Sequence, residues 1–196
     1  MQIILGSSSP RRKEILSYFH LPFKVFSSDF DEENIPFSGC AASHAKLLAH
    51  QKALTLSENH PDDVILTADT LVHLKGRLYG KPKDLKEAHE YLRKLSGETH
   101  EVYTGVCVMK ANKYYLDESL TFVTFNPLSN AQIQSYLNAV HTLDKSGGYT
   151  IQGPGSLIVK KIEGCYYNVL GLPIQTVYQL LLKVGINLWD FVEKTS

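Results

Sequence analysis

Residues 99–125 read THEVYTGVCVMKANKYYLDESLTFVTF. Thr99 to Met109 and Tyr114 to Phe125 are rich in Val, Tyr, Phe and Thr, with Ala111-Asn112 between them. The stretch predicts a long β-hairpin. Two shorter hairpins are expected around it: Leu71 to Leu74 with Arg77 to Tyr79 across Lys75-Gly76, and Leu157 to Ile162 with Tyr166 to Val169. Hairpins placed between helical segments argue against a doubly wound arrangement. They predict an α/β fold with α+β character, a mixed and largely antiparallel sheet with helices packed on it.

Outward from the hairpins, strand and helix patterns alternate. Gln2 to Leu5 reads as a short buried strand, followed by a small-residue loop from Gly6 to Ser9. Ser9 suits an N-cap and Pro10 the first helical position, with Ile15, Leu16 and Phe19 facing inward. A second helix is expected over about 41 to 57, with Ala45, Leu48 and Ala49 on one side. Val64 to Ala68 is an apolar strand ending at Asp69. Asp84 with Glu87 resembles a capping box ahead of Ala88, Tyr91, Leu92 and Leu95, and Gly97 stops that helix. Ser129 and Gln132 cap a helix carrying Ile133, Tyr136, Leu137 and Val140. Pro173 opens the last one, with Val177, Leu180, Leu181 and Val184 inward and Gly185 at its end. Residues 186 to 193 are apolar without a legible type.

The chain has 196 residues, 43% of them hydrophobic, with 20 Lys+Arg against 20 Asp+Glu. This is one domain's worth of chain, residues 1–196, with room for two lobes around a central cleft. Zero net charge argues against a nucleic-acid coat or a polybasic membrane binder, so an anionic ligand needs a local cluster of cations. No window approaches the roughly 20 apolar residues of a membrane span. The opening apolar run, Met1 and Ile3 to Leu5, precedes the Arg11-Arg12 pair, the reverse of a secretory leader. Cys40, Cys107 and Cys165 contain no Cys-x-x-Cys and are expected as reduced thiols of a cytoplasmic protein.

Three stretches carry polar residues where a strand meets a loop. Ser7-Ser8-Ser9-Pro10-Arg11-Arg12 joins a strand to a helix start, where free N–H groups, hydroxyls and guanidiniums attract phosphate; an N-cap followed by solvated arginines reads equally well. Asp69-Thr70, at the C-terminal end of its strand, would suit a Mg²⁺ ligand or a proton acceptor, or else a turn-initiating Asp. The acidic run Asp29-Phe30-Asp31-Glu32-Glu33 offers hard oxygen ligands or a solvated loop. Lys52 and Lys81 alone read as surface lysines. The eight histidines form no ligand-spaced set, and neither a P-loop nor a Rossmann fingerprint is present. Asp144 to Tyr149 and Ile151-Gln152-Gly153 make a glycine-rich stretch, either a tight loop or a close approach to a ligand.

The ordered set of these motifs is specific. Ser7-x-Ser9-Pro10-Arg11-Arg12, Ala68-Asp69-Thr70, Gly80-Lys81-Pro82, Leu95-Ser96-Gly97, Asp144-Lys145-x-Gly147, Ile151-Gln152-Gly153 and Val169-x-Gly171-Leu172-Pro173 follow one another at family spacing. From about residue 3 to about residue 185 the chain resembles the Maf family, once called septum formation proteins. The resemblance implies a curved sheet related to that of the inosine triphosphate pyrophosphatases. It also implies a house-cleaning nucleoside triphosphate pyrophosphatase, cytoplasmic and homodimeric. Such an enzyme cleaves its substrate to the monophosphate and pyrophosphate with a divalent cation, Mg²⁺ or Mn²⁺.

By the same resemblance, Asp69 matches the catalytic acid and, with Glu32, the metal-linked pair. Ser7, Arg12, Lys52 and Lys81 match the phosphate-binding cluster. Arg11, Thr70 and Gln152 match positions that set base preference, in the form of the subgroup acting on dTTP and UTP. Ser146-Gly147-Gly148-Tyr149-Thr150 departs from the common Ala-Gly-Ala-Tyr-Gly. The contrasting expectation, in line with the older family name, is a nucleotide-binding regulator of cell division with little turnover.

Overall fold

Why the first strand is so apolar follows from where it lies. β1 (Ile3–Gly6) is fully buried and runs parallel to both β2 (Phe23–Phe26) and β3 (Val64–Leu74), with Ile3 opposite Phe23 and Val64 and Gly6 opposite Phe26 and Thr67. A strand flanked on both sides reads as a continuous apolar run rather than an alternation. α1 (Pro10–Leu16) leads from β1 towards β2, and α2 (Ala41–Ser57) lies between β2 and β3 in the chain. The computed structural model describes residues 2–192. Met1, position 193 and the side chain of Glu33, all touched on above, lie outside the described residues.

β4 (Arg77–Tyr79) folds back antiparallel on β3 through Lys75 and Gly76, at φ 50° and 82°. α3 (Leu85–Leu95) then leads into the long hairpin of β5 (Thr99–Lys110) and β6 (Lys113–Phe125), turned at Ala111 and Asn112 with φ 47° and 63°. α4 (Asn130–Ala139) follows, and β7 (Val159–Glu163) pairs antiparallel with β6. The seven-stranded sheet has the order β2-β1-β3-β5-β6-β7, with β4 on β3. α5 (Tyr166–Val169) and α6 (Ile174–Leu182) are the last α-helices among the described residues, and Leu188–Phe191 forms a 3-10 turn in the stretch that had no legible type. The fold is the expected mixed α/β sheet with helices. No helix among the described residues is long and apolar enough to cross a membrane.

The described residues divide into two compact units, the first formed by 2–69, Thr104–Ser119 and 171–192, the second by Thr70–Tyr103 and Leu120–Leu170. The first has a core of Ile4, Ala49, Ala53, Leu56, Ile65, Cys107 and Met109. Small residues on α2 let the helix lie close on the sheet. At Gly105 a Cβ would overlap the main chain of Ala45 and Lys46. Burial pushes the Cys107 thiol up to about 12, leaving it an inert core group.

In the second unit His100, Phe125 and Tyr149 pack edge to face, with ring centroids 4.8 to 5.3 Å apart. His100 Nε2 hydrogen-bonds to Tyr149 Oη at 2.7 Å, and burial lowers the His100 pKa from 6.5 to about 4. Above pH 6.5 this histidine is neutral folded or unfolded. Between 6.5 and 4 only the unfolded chain takes up the proton, so stability drains as pH falls, by about 3 kcal/mol in all. In urea titrations at pH 7 and pH 4, the stability difference between wild type and His100→Gln should shift by that amount. A difference that does not vary with pH would mean that folded His100 titrates like an exposed one.

Four expectations are corrected. β3 does not end at Asp69; it continues to Leu74. Tyr166–Val169 is helical, not the second strand of a hairpin: β7 pairs with β6 instead, and Asn168 Nδ2 anchors the turn by donating to Val102 O (2.9 Å) and Thr121 Oγ1 (3.0 Å). Ser9 occupies the N-cap position without a side-chain cap; its own N–H donates to Ser7 Oγ. Phe19 lies beyond the end of α1 and is half-buried. The parallel edge strand β2 was not anticipated, since it is four residues long and exposed at Lys24, Val25 and Phe26.

Candidate active site

The register of β1 on β3 sets the site. Gly6, the last residue of β1, pairs with Thr67, so β3 runs on past the end of its parallel neighbour and Asp69 lies two residues beyond that last pair. Residues two apart on a strand share a face. Thr67 Oγ1 donates to Ala49 O of α2 at 2.6 Å, which identifies the shared face as the one under α2. Ala49 and Lys52 are one helical turn apart, so Lys52 projects to where Asp69 emerges. Its Nζ lies 2.5 Å from Asp69 Oδ1. Asp69 is therefore mid-strand by hydrogen bonding, yet at the end of the parallel ladder.

Glu32, from the 3-10 turn Glu32–Asn34, places Oε1 2.6 Å from the same Lys52 Nζ. The side chains of Lys52 and Asp69 are 11% and 7% exposed, so their pairing is scarcely screened; Glu32 is more open at 38%. Burial pushes Asp69 above the usual carboxylate range and Glu32 adds to the push, while Lys52 and Arg12 pull the other way.

Arg12 is held by a different set of partners. Its Nε donates to Gly171 O at 2.7 Å and its Nη1 lies 3.4 Å from Ser7 Oγ. Burial lowers its pKa against the opposing charges of Asp69 and Glu32, and the guanidinium stays cationic. Ser7 is buried and follows β1 directly; Arg11 is half-buried on α1. Ser7, Arg12, Glu32, Lys52 and Asp69 thus come together in the first unit: two cations, two carboxylates and a hydroxyl.

Thr70, Lys81 and Gln152 belong to the second unit. Thr70 O accepts from Ser146 Oγ at 2.8 Å, and Gly80 O accepts from Gly147 N–H at 2.9 Å. The Gly-rich stretch is therefore tied to β3 at Thr70 and to the loop carrying exposed Lys81. Gln152 is half-buried, its N–H donating to Thr150 Oγ1 at 3.2 Å. Tyr136 Oη receives Thr150 N–H at 3.0 Å. The threonine that departs from the common glycine thus supplies the acceptor that orders Gln152, and its φ is not in the left-handed region.

A protein-family model described as Maf-like protein matches residues 2–184. The chain belongs to the Maf family. A dTTP/UTP pyrophosphatase of Chlamydia caviae is 48% identical over 192 residues, spanning 97% of this chain and 98% of that one. A nucleoside triphosphate pyrophosphatase of Chlamydia muridarum is 42% identical over 192 residues, with the same shares. A solved structure, the nucleoside-triphosphatase / dITP/XTP pyrophosphatase of Mycobacterium abscessus, is similar at a TM-score of 0.42 and 13% identity, over 65% of this chain and 76% of that chain.

In this Maf chain, sequence reasoning missed the anchors rather than the charged groups. Gly171 lies in the Val169-x-Gly171-Leu172-Pro173 motif with no side chain to mark a role, and its carbonyl is what fixes Arg12. Ser146, which ties the Gly-rich stretch to Thr70, had no signal beyond its neighbours. For a metal, no group of three or more His, Cys, Asp or Glu gathers among the described residues. Two carboxylates do converge on one cation, the Lys52 ammonium. That donor set fits Mg²⁺ or Mn²⁺ as held in nucleotide sites, by one or two carboxylates with the rest from phosphate and water.

Proposed function

We propose that this Maf chain hydrolyses nucleoside triphosphates between the α and β phosphates, releasing pyrophosphate and the monophosphate, with dTTP and UTP preferred. The observation that carries the reading is a buried carboxylate, Asp69, at the end of a parallel ladder beside two buried or half-buried cations, Lys52 and Arg12. The full-length likeness to relatives named dTTP/UTP pyrophosphatase supports the substrate class.

In this reading Asp69 accepts a proton from the attacking water. The water oxygen bonds to the α phosphorus as the bridging P–O bond breaks, and that bond's electron pair leaves with pyrophosphate. Arg12, Lys52, Ser7 and Lys81 hold phosphate oxygens, and catalysis is mostly positioning and charge stabilisation. Asp69 and Glu32 would hold the divalent cation, which would supply charge neutralisation to the leaving group. Arg11, Thr70 and Gln152 face the base, an assignment carried by the family resemblance, as are a cytoplasmic location and a homodimer. The test is pyrophosphate release from UTP, dTTP, CTP, ATP and GTP with Mg²⁺. Release that is fastest from UTP and dTTP is the expected result; tight binding without release from any of them would leave the cell-division regulator.

Gln152 gives the base-selectivity prediction. Uracil and thymine offer an N3–H donor beside an O4 acceptor, and a Gln amide answers both. Cytosine offers an N4 amino donor, for which a carboxylate is the better partner. Gln152→Glu should lower kcat/KM for UTP and dTTP relative to CTP by about 5- to 150-fold, since an unpaired buried edge costs roughly 1–3 kcal/mol. If all three rates fall together, Gln152 serves the loop and not the base.

A further inference from the structure

Lys52 and Arg12 are both cations beside Asp69, yet they are held differently. Arg12 is tied by Nε to the main-chain oxygen of Gly171, which cannot follow a moving side chain. The Lys52 ammonium is held by the two carboxylates, Asp69 at 2.5 Å and Glu32 at 2.6 Å, at the end of a flexible four-carbon stem. A single monovalent cation thus bridges the two oxygen ligands proposed for the divalent one.

We infer that Lys52 is a built-in counter-ion for the cation site: its ammonium holds the place between Asp69 and Glu32 in the substrate-free protein, and a divalent ion enters only as that ammonium transfers to the triphosphate. The inference rests on the proposed reading of the site and adds a rule of assembly to it. An ammonium and a divalent ion repel each other and compete for the same oxygen lone pairs. Lys52 is only 11% exposed, so an ammonium expelled without a new anionic partner would be left buried and unpaired. Phosphate oxygens are the partner that a nucleotide brings. Cation and nucleotide therefore bind with positive coupling, and by linkage each raises the affinity for the other by the same factor. The free protein binds divalent ions weakly and keeps its carboxylates neutralised, while Arg12 stays in place throughout.

The test is Mn²⁺ binding to the whole protein without nucleotide, followed by the electron-paramagnetic-resonance signal of free Mn²⁺. Lys52→Met, which removes the charge and keeps the stem length, should bind Mn²⁺ at least about tenfold more tightly than wild type. The double variant Lys52→Met/Asp69→Asn should lose that gain. If the Met side chain prevents folding, Lys52→Gln reads the same quantity. Wild-type protein gives a second readout: the ¹⁵Nζ resonance of Lys52 should shift in step with Mg²⁺ occupancy. Equal Mn²⁺ affinities for wild type and the neutral variants, or Mg²⁺ binding that leaves the Lys52 resonance unmoved, would overturn the inference. Either result in an enzyme that still releases pyrophosphate overturns the counter-ion role alone. A tenfold gain in a protein that hydrolyses no nucleotide overturns the activity alone.

Discussion

Asp69→Asn removes pyrophosphate release while the chain still folds and binds nucleotide. Loss of a general base alone costs roughly 10²–10⁴-fold in rate. Asp69 is also one of the two carboxylates proposed to hold the divalent cation, so the expected combined loss lies at or beyond the top of that span. The fold survives because the amide keeps an oxygen acceptor for Lys52, and Glu32 keeps the ammonium paired. The wild-type pH profile should carry the same signature. A base works deprotonated, and burial raises the Asp69 pKa, so activity falls away on acidification at a higher pH than an exposed aspartate would give. Steady-state rates from pH 4 to 8 with dTTP, alongside a nucleotide-binding titration of the variant, make the comparison. Near-normal kcat in folded Asp69→Asn would remove Asp69 from the mechanism.

Gly105→Ala is expected to be among the most destabilising single-methyl changes in the molecule. The added Cβ meets the main chain of Ala45 and Lys46 rather than a side chain that could rotate away. Overpacking costs typically 1–3 kcal/mol, and obstruction by backbone puts this site at the upper end, about 3 kcal/mol. Relief would require α2 to lift from β5, and α2 carries both Lys52 and the carbonyl that receives Thr67. Gly80→Ala is the matched control, because a Cβ there meets nothing within 4 Å and the φ is not left-handed. Its unfolding free energy in urea titrations should stay within about 0.5 kcal/mol of wild type. Equal unfolding free energies for the two variants would show that α2 shifts at little cost.

The sequence was most legible where local chemistry and tertiary context agree. The Ser129 and Gln132 capping box closes both its hydrogen bonds within one helical turn, and Asn112 tolerates the left-handed φ that the β5–β6 turn requires. Tyr166–Val169 failed for the opposite reason. Tyr166, Tyr167 and Val169 favour a strand and four residues show no period, and the deciding interaction is Asn168 reaching Val102 and Thr121, 66 and 47 positions away. β2 failed because an exposed parallel edge strand shows neither a continuous apolar run nor clean alternation. At the candidate site, the residue types pointed to anion chemistry. The pairing of Lys52 with both Asp69 and Glu32 needed the register of β1 on β3, which no local pattern encodes.

The hydrogen bond from Arg12 to Gly171 joins residues 159 positions apart. During synthesis the amino-terminal strands, α2 and the Lys52 cluster leave the ribosome long before Gly171 does. At about 5–20 residues per second, the interval between Arg12 and Gly171 is on the order of 8–30 seconds. A nascent or prematurely terminated chain can therefore own every carboxylate and lysine of the cluster and still lack the strut that aims its guanidinium. Fragments cut short of Gly171 should neither hold Arg12 in place nor consume nucleotides.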